Sequence, residues 1–213
     1  MSRIDVLNIL RKEKVISIVR LEEPKKIVPV IEALIEGGIR IVEITMTTTD
    51  PLMTFRKAVK HFSRDVILGV GSVVDEMTAQ QMILEGAQLI ITPTNRRETI
   101  ETAHRYDIPI LSGVLTPEEI LRAYEYGADM AKIYPAAFFG PNYIKAIKDP
   151  MPQVDLIASG GIGVKDVVDW IKAGASGVGL GSALSHRGLV KKEDYEGITA
   201  NAKKVTKLVR SLK

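Results

Sequence analysis

Short apolar runs rich in valine and isoleucine recur along the chain and alternate with segments of helical periodicity. Because these runs contain few polar residues, they are typical of strands that are buried on both faces of a parallel sheet. Strands and helices that alternate about eight times predict a (β/α)8 TIM barrel, preceded by a short amphipathic N-terminal helix within residues 1–14. The predicted strands span residues 15–19, 39–45, 65–70, 87–92, 108–113, 128–134, 154–159 and 175–181.

The helical segments between the runs tend to end in glycine. Glycine pairs or Gly-Ala close four of them, at Gly37-Gly38, Gly86, Gly127 and Gly174, where a left-handed helix cap is expected. Residues 1–213 contain no linker or shift in composition, so they are expected to form one domain. An open doubly wound sheet is the alternative. The strand count and the glycine-rich loops after the last two strands favour the closed barrel.

The composition is that of a globular protein, since 46% of the 213 residues are hydrophobic and 26% are charged. The absence of cysteine excludes disulfides, thiol catalysis and cysteine-ligated metals. His61, His104 and His186 lack metal-ligand spacing, so neither a metal nor another cofactor is expected. The chain has no apolar run long enough to span a membrane and no signal-peptide core, so we expect a cytoplasmic protein that does not bind membranes.

The formal net charge is +3, and the basic residues are scattered along the chain. Adjacent pairs such as Lys191-Lys192 are typical of solvated helix faces. Aromatic residues make up 5% of the chain and are not interleaved with the basic ones, so nucleic-acid binding is not expected. A mildly positive surface instead suits an anionic small-molecule substrate.

Lys132 lies inside the apolar run 128–134 and is the most informative residue of the chain. Loss of hydration disfavours the charged form of a lysine, and an uncharged amine can attack a carbonyl to form a Schiff base. The alternative is a lysine whose stem packs on apolar neighbours while its head reaches water. The segment alone favours this alternative, because lysine is rarely buried.

Glu43 lies in the apolar run 39–45, where a carboxylate is costly unless it is paired or neutralised. It is either half of a buried ion pair, with Lys132 as a candidate partner, or a general acid–base with a raised pKa. A Schiff-base reaction needs a proton shuttle beside the amine. The two residues together therefore favour the catalytic interpretation.

Glycine-rich loops follow the last two predicted strands. Barrels often bind phosphate at these positions through backbone N–H groups, and glycine lets the backbone approach the anion closely. The alternative is that the glycines serve only to form tight turns. Both loops stand at the right strand positions, so we expect a phosphate site formed by Ser159, Gly160, Gly161, Gly181 and Ser182.

Further candidates lie where predicted strands end, because the active site of a TIM barrel is at the carboxyl ends of its strands. Arg20 could clamp a carboxylate or phosphate, or form a rim ion pair with Glu22 or Glu23. Ser72 and nearby N–H groups could hold a small carboxylate. The side chains of the pair Phe138-Phe139, in the loop after the sixth strand, are expected to pack in the interior or to wall the site.

Several segments together resemble one known family. They are VEITMTT (42–48), GVGSV (69–73), TP (92–93), the stretch 112–141 that includes MAKIYP, SGGIG (159–163) and GVGLGSAL (177–184). In this order they resemble the bacterial 2-keto-3-deoxy-6-phosphogluconate (KDPG) / 4-hydroxy-2-oxoglutarate (KHG) aldolases. The resemblance implies a metal-free class I aldolase, commonly a homotrimer. Such an enzyme cleaves a 2-keto-3-deoxy sugar acid to pyruvate and an aldehyde, either glyceraldehyde 3-phosphate or glyoxylate.

The resemblance also implies roles for individual residues. Lys132 matches the lysine that forms the Schiff base, and Glu43 matches the glutamate that relays protons through water. Ser72 matches a threonine that helps to hold the pyruvate carboxylate. Pro93 matches a proline that lines the site, and Arg20 matches an arginine after the first strand. The two glycine-rich loops match the phosphate-binding loops of the family.

The chain departs from the family pattern at positions that affect substrate choice. Thr47, expected to contact the substrate, stands where many members have arginine, which shifts anion binding towards Arg20 and backbone N–H groups. Tyr134 replaces the usual phenylalanine and adds a hydroxyl near the imine, while Ser159 replaces a threonine. The substrate is therefore left open among gluconate- and galactonate-series sugar acids, phosphorylated or not, and 4-hydroxy-2-oxoglutarate.

Two other functions also fit these residues. One is a phosphosugar isomerase or epimerase that uses Glu43 and Lys132 as acid and base without covalent chemistry. The other is a non-catalytic protein that binds phosphometabolites. The Glu43–Lys132 pair argues against the second function, because both groups cost stability when they are not used.

Overall fold

Eight short parallel strands form the centre of the computed structural model, which describes residues 1–62 and 66–212. Neighbours in the chain are neighbours in the sheet, and the last strand pairs with the first, so the sheet closes into a barrel. This confirms the predicted (β/α)8 barrel rather than the open sheet. The strands are β1 (Val15–Val19), β2 (Ile41–Thr45), β3 (Ile67–Gly71), β4 (Leu89–Ile91), β5 (Ile110–Val114), β6 (Met130–Ile133), β7 (Leu156–Ser159) and β8 (Gly177–Leu180).

Each predicted strand overlaps an observed one, although most observed strands begin about two residues later. For the third predicted strand, 65–70, residue 65 lies outside the described residues. The described α-helices are α1 (Arg3–Glu13), α2 (Ile27–Glu36), α3 (Pro51–His61), α4 (Glu76–Leu84), α5 (Arg97–Arg105), α6 (Pro117–Glu125), α7 (Pro141–Lys148), α8 (Val167–Lys172), α9 (Arg187–Lys191) and α10 (Tyr195–Arg210).

The predicted N-terminal helix is present as α1, and it closes the barrel interior. Ser2 caps it, because its hydroxyl accepts a hydrogen bond from the backbone N–H of Asp5 while the Asp5 carboxylate accepts one from the Ser2 N–H. Its apolar face joins the first inward-facing residues of the strands in one buried cluster. This cluster contains Val6, Leu7, Leu10, Ile16, Ile41, Ile67, Leu89, Ile91, Leu111, Met130 and Ile157.

A second and larger apolar core lies between the barrel and the helices around it. The predicted left-handed caps occur at Gly38, Gly86, Gly127 and Gly174, whose φ angles lie between +90° and +104°. There the glycines turn the chain from a helix into the next strand. Among the described helices, none has the length and apolar character that crossing a bilayer requires.

Candidate active site

Lys132 and Glu43 point into the barrel because of the two-residue period of a strand. Lys132 follows Met130 on β6 by two positions, and Glu43 follows Ile41 on β2 by the same step. Met130 and Ile41 belong to the interior cluster, and alternate residues of a strand face the same side. The two polar side chains therefore lie on top of the apolar layer that α1 closes from below.

The two side chains meet inside the barrel. The Nζ atom of Lys132 lies 3.7 Å from Oε2 of Glu43, and the side chains are only 8% and 3% exposed. This separation is longer than a direct hydrogen bond but close enough for strong electrostatic attraction. The predicted alternative in which the head of Lys132 reaches bulk water is therefore wrong for this structure.

Burial raises the pKa of Glu43 above the ordinary value for glutamate. The positive charges of Lys132 and, more weakly, Arg20 oppose this effect but do not cancel it. Glu43 is thus both half of a buried pair with Lys132 and a carboxyl group whose proton affinity is increased. A carboxyl group of this kind can give and take protons nearer to neutral pH.

A cavity of about 560 Å³ opens above this pair at the carboxyl ends of the strands. All but one of the predicted site residues line it. They are Arg20, Glu43, Ser72, Pro93, Lys132, Tyr134, Ser159, Gly160, Gly161, Gly181 and Ser182. The barrel thus gathers residues from every part of the chain into one pocket of a size suited to a small metabolite.

Thr47 is the predicted site residue that does not line the cavity. It is exposed in the turn after β2, and its hydroxyl lies 3.0 Å from that of Thr45. Thr45 lines the cavity instead. The reason is strand periodicity, because Ile41, Glu43 and Thr45 share the inward face of β2, whereas the strand has ended before residue 47.

Tyr134 and the first glycine-rich loop form one wall of the cavity. The ring of Tyr134 has its centre 5.7 Å from Nζ of Lys132. Gly160, with φ of +93°, approaches this ring so closely that an added Cβ would lie 2.9 Å from Cε2 of Tyr134. Next to it, the buried hydroxyl of Ser159 has no hydrogen-bond partner within the described residues. An unpaired buried donor beside a cavity is available to a ligand.

Arg20 lines the cavity. The alternative in which it forms an ion pair with Glu22 or Glu23 at the rim is wrong. Among the described residues, no carboxylate lies within ion-pair distance of Arg20. Glu22 instead pairs with Arg187 and with Lys191, and Glu23 pairs with Lys25 and Lys26. The Arg20 guanidinium is exposed and remains available to an anion in the cavity.

Three polar residues beyond the predicted set line the cavity from the segment after β8. They are Ser185, Arg187 and Lys191. Lys191 belongs to a basic pair that was interpreted as part of a solvated helix face; its side chain on α9 is indeed 58% exposed, and it lines the cavity as well. The available signal was position, since basic residues soon after the last barrel strand lie at the active-site end.

The pair Phe138-Phe139 does not wall the site. Phe138 is 86% exposed and Phe139 is 46% exposed, and neither lines the cavity. The expectation that they pack in the interior or line the site is therefore wrong. Across residues 1–62 and 66–212, no cluster of three or more acidic or histidine side chains is arranged to hold a metal ion.

Comparison with known proteins gives a consistent result. The sequence model of the family described as KDPG and KHG aldolase matches residues 6–201. The chain is 33% identical over 178 residues to the 2-dehydro-3-deoxy-6-phosphogalactonate aldolase of Escherichia coli K12, with 83% of this chain and 87% of the relative covered. It is 31% identical over 169 residues to the 2-dehydro-3-deoxy-phosphogluconate aldolase of Treponema pallidum, with 79% and 80% covered.

One similar solved structure contains a reaction intermediate. It is the KDPG aldolase from Legionella pneumophila with pyruvate captured at low pH as a covalent carbinolamine. The two structures superpose with a TM-score of 0.85 at 26% identity, over 92% of this chain and 96% of the other. The fold, the family match and the two relatives confirm the resemblance seen in the sequence, and the chain belongs to the KDPG and KHG aldolase family.

Proposed function

We propose that this protein is a class I aldolase that cleaves a 2-keto-3-deoxy sugar acid to pyruvate and an aldehyde. KDPG is the favoured substrate, and 4-hydroxy-2-oxoglutarate is a second one. The observation that carries the proposal is the buried Lys132–Glu43 pair, 3.7 Å apart, at the floor of the cavity. A lysine nucleophile beside a proton carrier is what Schiff-base chemistry requires.

The first half of the proposed reaction forms the imine. The uncharged amine of Lys132 attacks the C2 ketone of the substrate, and a proton moves to the former ketone oxygen to give a carbinolamine. Glu43 then delivers a proton to that hydroxyl, which leaves as water. The product is a protonated imine between the C2 carbon and Nζ of Lys132.

The second half breaks the C3–C4 bond. A base removes the proton of the C4 hydroxyl, and the electron pair of the C3–C4 bond moves into the protonated imine. The aldehyde leaves with C4 as its carbonyl carbon, and the enamine of pyruvate remains on Lys132. Protonation at C3 and addition of water then release pyruvate and restore the amine. Glu43 is the proposed proton carrier in these steps, because its raised pKa suits transfer in both directions.

The other lining residues support an anionic substrate. Ser72 and its neighbouring N–H groups are the proposed holders of the pyruvate carboxylate, and Pro93 and Tyr134 wall the reacting carbons. Arg20 and the two loops of Ser159, Gly160, Gly161, Gly181 and Ser182 are the proposed phosphate site. The relative from E. coli acts in the galactonate series by its name, so we include the galactonate epimer as a substrate to be assayed beside KDPG.

Borohydride trapping tests this proposal. The protein is incubated with pyruvate and sodium borohydride, and the adduct is located by peptide mass spectrometry. We expect a reduced pyruvyl group on Lys132, and none in Lys132→Ala, which should also lose essentially all turnover. Lys145→Ala, which changes an exposed lysine of α7, serves as the matched control and should label like the wild type. A folded wild-type protein that gives no adduct would rule out the aldolase and favour the acid–base isomerase.

The proposal extends to a cytoplasmic homotrimer, the assembly common in the family. The exposed apolar side chains of Phe138 and Phe139 support an interface between copies. Light scattering coupled to gel filtration tests it, with the mass of three 23.4 kDa chains as the expected result. A monomer at micromolar concentration would contradict the trimer without affecting the chemistry at Lys132.

A further inference from the structure

Glu22 bridges the two ends of the barrel sheet. It lies in the loop after β1, and its carboxylate pairs with Arg187 and Lys191 of α9, the helix that follows β8. The Nζ atom of Lys191 lies 3.9 Å from Oε2 of Glu22, and Nη2 of Arg187 contacts Oε1. All three side chains line the cavity that contains Lys132 and Glu43.

The backbone that carries these two cations is anchored separately. Lys26 is buried, and its Nζ atom donates hydrogen bonds to the carbonyl oxygens of Val190, at 3.2 Å, and of Lys191, at 3.4 Å. The same ammonium group pairs with Glu23 at 2.8 Å and with Glu193 at 3.4 Å. The end of α9 is therefore held against the segment after β1 whether or not Glu22 keeps its own contacts.

The ion pairs of Glu22 are exposed to solvent, unlike the buried contacts of Lys26. The side chains of Glu22, Arg187 and Lys191 are 58%, 69% and 58% exposed. Ion pairs between exposed side chains contribute little, since water competes for both partners. A phosphate carries more charge than a carboxylate and offers three acceptor oxygens, two of which can bind one guanidinium together. A phosphate in the cavity can therefore displace Glu22 from its two partners.

The cations of the described cavity lining support such an exchange. Apart from Lys132, which the proposed chemistry occupies, they are Arg20, Arg187 and Lys191. The glycine-rich loops offer only neutral N–H and hydroxyl donors. Two of these three cations thus belong to α9, and both pair with the carboxylate of Glu22, which a stronger anion can displace.

We propose, building on the aldolase function above, that Arg187 and Lys191 bind the phosphate at the far end of the substrate and that Glu22 holds them until it arrives. Glu22 then acts as an internal competitor for the phosphate. It lowers affinity for every anion that must displace it, whereas Arg187 and Lys191 favour phosphorylated substrates over unphosphorylated ones, which offer these cations no anion.

Inorganic phosphate is the probe for the first test. Its dissociation constant is measured by calorimetry at low ionic strength, and its competitive inhibition of the aldolase assay is measured in parallel. We expect Arg187→Gln and Lys191→Gln each to weaken phosphate binding about fivefold, because each removes a charge-assisted contact. Lys192→Gln is the matched control, since this exposed neighbour lies outside the cavity lining and its loss changes the net charge equally. It should change binding less than twofold.

Glu22→Gln should have the opposite effect on the affinity for inorganic phosphate. Removal of the competing carboxylate should tighten phosphate binding about threefold, as expected for the loss of an exposed ion pair. Glu125→Gln, at the exposed end of α6, is its control for net charge. With substrates, Glu22→Gln should raise kcat/KM for KDPG and leave that for its unphosphorylated analogue unchanged, because only the phosphate has to displace the Glu22 carboxylate.

The outcomes separate this inference from the proposed function. Thermal unfolding first establishes that each variant is folded. Equal phosphate affinity in Arg187→Gln, Lys191→Gln and Lys192→Gln would overturn the inference, as would a wild-type protein that binds no phosphate. Unchanged or weaker binding in Glu22→Gln would overturn the competitor role. The borohydride adduct on Lys132 of the wild type is measured with pyruvate alone, so it reports on the aldolase function whatever phosphate does.

Discussion

A methyl group on Gly71 would lie 1.8 Å from Oε1 of Glu43, so the carboxylate fills the space that any larger residue at position 71 would need. The two residues are on neighbouring strands, with Gly71 paired to Thr45 two positions beyond Glu43. Gly71 is therefore required for its lack of a side chain rather than for its backbone freedom. It determines where the carboxylate stands relative to Lys132.

We predict that Gly71→Ala lowers kcat about a hundredfold. The added methyl group displaces the Glu43 carboxyl group from the position in which it exchanges protons beside Lys132, and misplacement by about 1 Å can cost that much. Steady-state kinetics with KDPG measures the effect, and circular dichroism verifies the fold. In the double variant Gly71→Ala/Glu43→Gln, the rate should be no lower than in Glu43→Gln alone. An additional hundredfold loss in the double variant would mean that Gly71 acts independently of Glu43.

The raised pKa of Glu43 predicts the acid limb of the pH profile. As the pH falls through this pKa, Glu43 takes up a proton and can no longer accept one, so kcat/KM should fall with a midpoint above 4.5, the ordinary value for glutamate. Glu43→Gln should remove this limb and lower the rate by ~10²–10⁴ at neutral pH. A midpoint at or below 4.5, or a limb that persists in Glu43→Gln, would assign the limb to another group.

Ser159 and Ser17 form a natural pair for testing ligand contact. Both have buried hydroxyls without a hydrogen-bond partner, but only Ser159 lines the cavity. We predict that neither Ser159→Ala nor Ser17→Ala lowers the free energy of unfolding, and that each raises it by up to about 1 kcal/mol. The reason is that a buried hydroxyl without a hydrogen-bond partner costs about that much. Only Ser159→Ala should raise KM, by several-fold. Equal KM values in both variants would mean that the substrate does not use the Ser159 hydroxyl.

The ring of Tyr134 stands where a positive charge on Nζ of Lys132 would be attracted to its face. We predict that Tyr134→Phe keeps kcat/KM near the wild-type value, whereas Tyr134→Leu lowers it about threefold, as expected for the loss of one cation–π contact. Kinetics of KDPG cleavage distinguishes the two variants. A loss in Tyr134→Phe as large as that in Tyr134→Leu would assign the contribution to the hydroxyl instead.

Much of the site could be predicted from local patterns. The apolar runs predicted the strands, and the polar residues within them, Lys132 and Glu43, were singled out as a candidate pair. The reason is physical, since a buried charge in an apolar strand is costly and needs a partner. The loops of Gly160 and Gly181 were predicted from their positions after the last two strands, where barrels often bind phosphate.

The position of Thr47 depended on the residue at which strand β2 ends. Thr47 follows Glu43 closely in sequence, and the two were expected in one site. Because β2 ends at Thr45, the turn after it carries Thr47 to the surface and leaves Thr45 in the cavity. Strand periodicity holds only as far as the strand extends, and the point at which the ladder of hydrogen bonds stops depends on the neighbouring strands.

Sequence patterns were enough to predict the strand–helix alternation, the inward stripe of each strand and the placement of Lys132 and Glu43 within apolar strands, because all of these follow from the periodicity and polarity of adjacent positions. Only the tertiary structure brought Arg187 and Lys191 to the cavity. Barrel closure pairs β1 with β8, and Lys26 then binds the carbonyl of Val190, which is 164 positions away. No local pattern encodes a contact of that range, since it exists only once the sheet has closed.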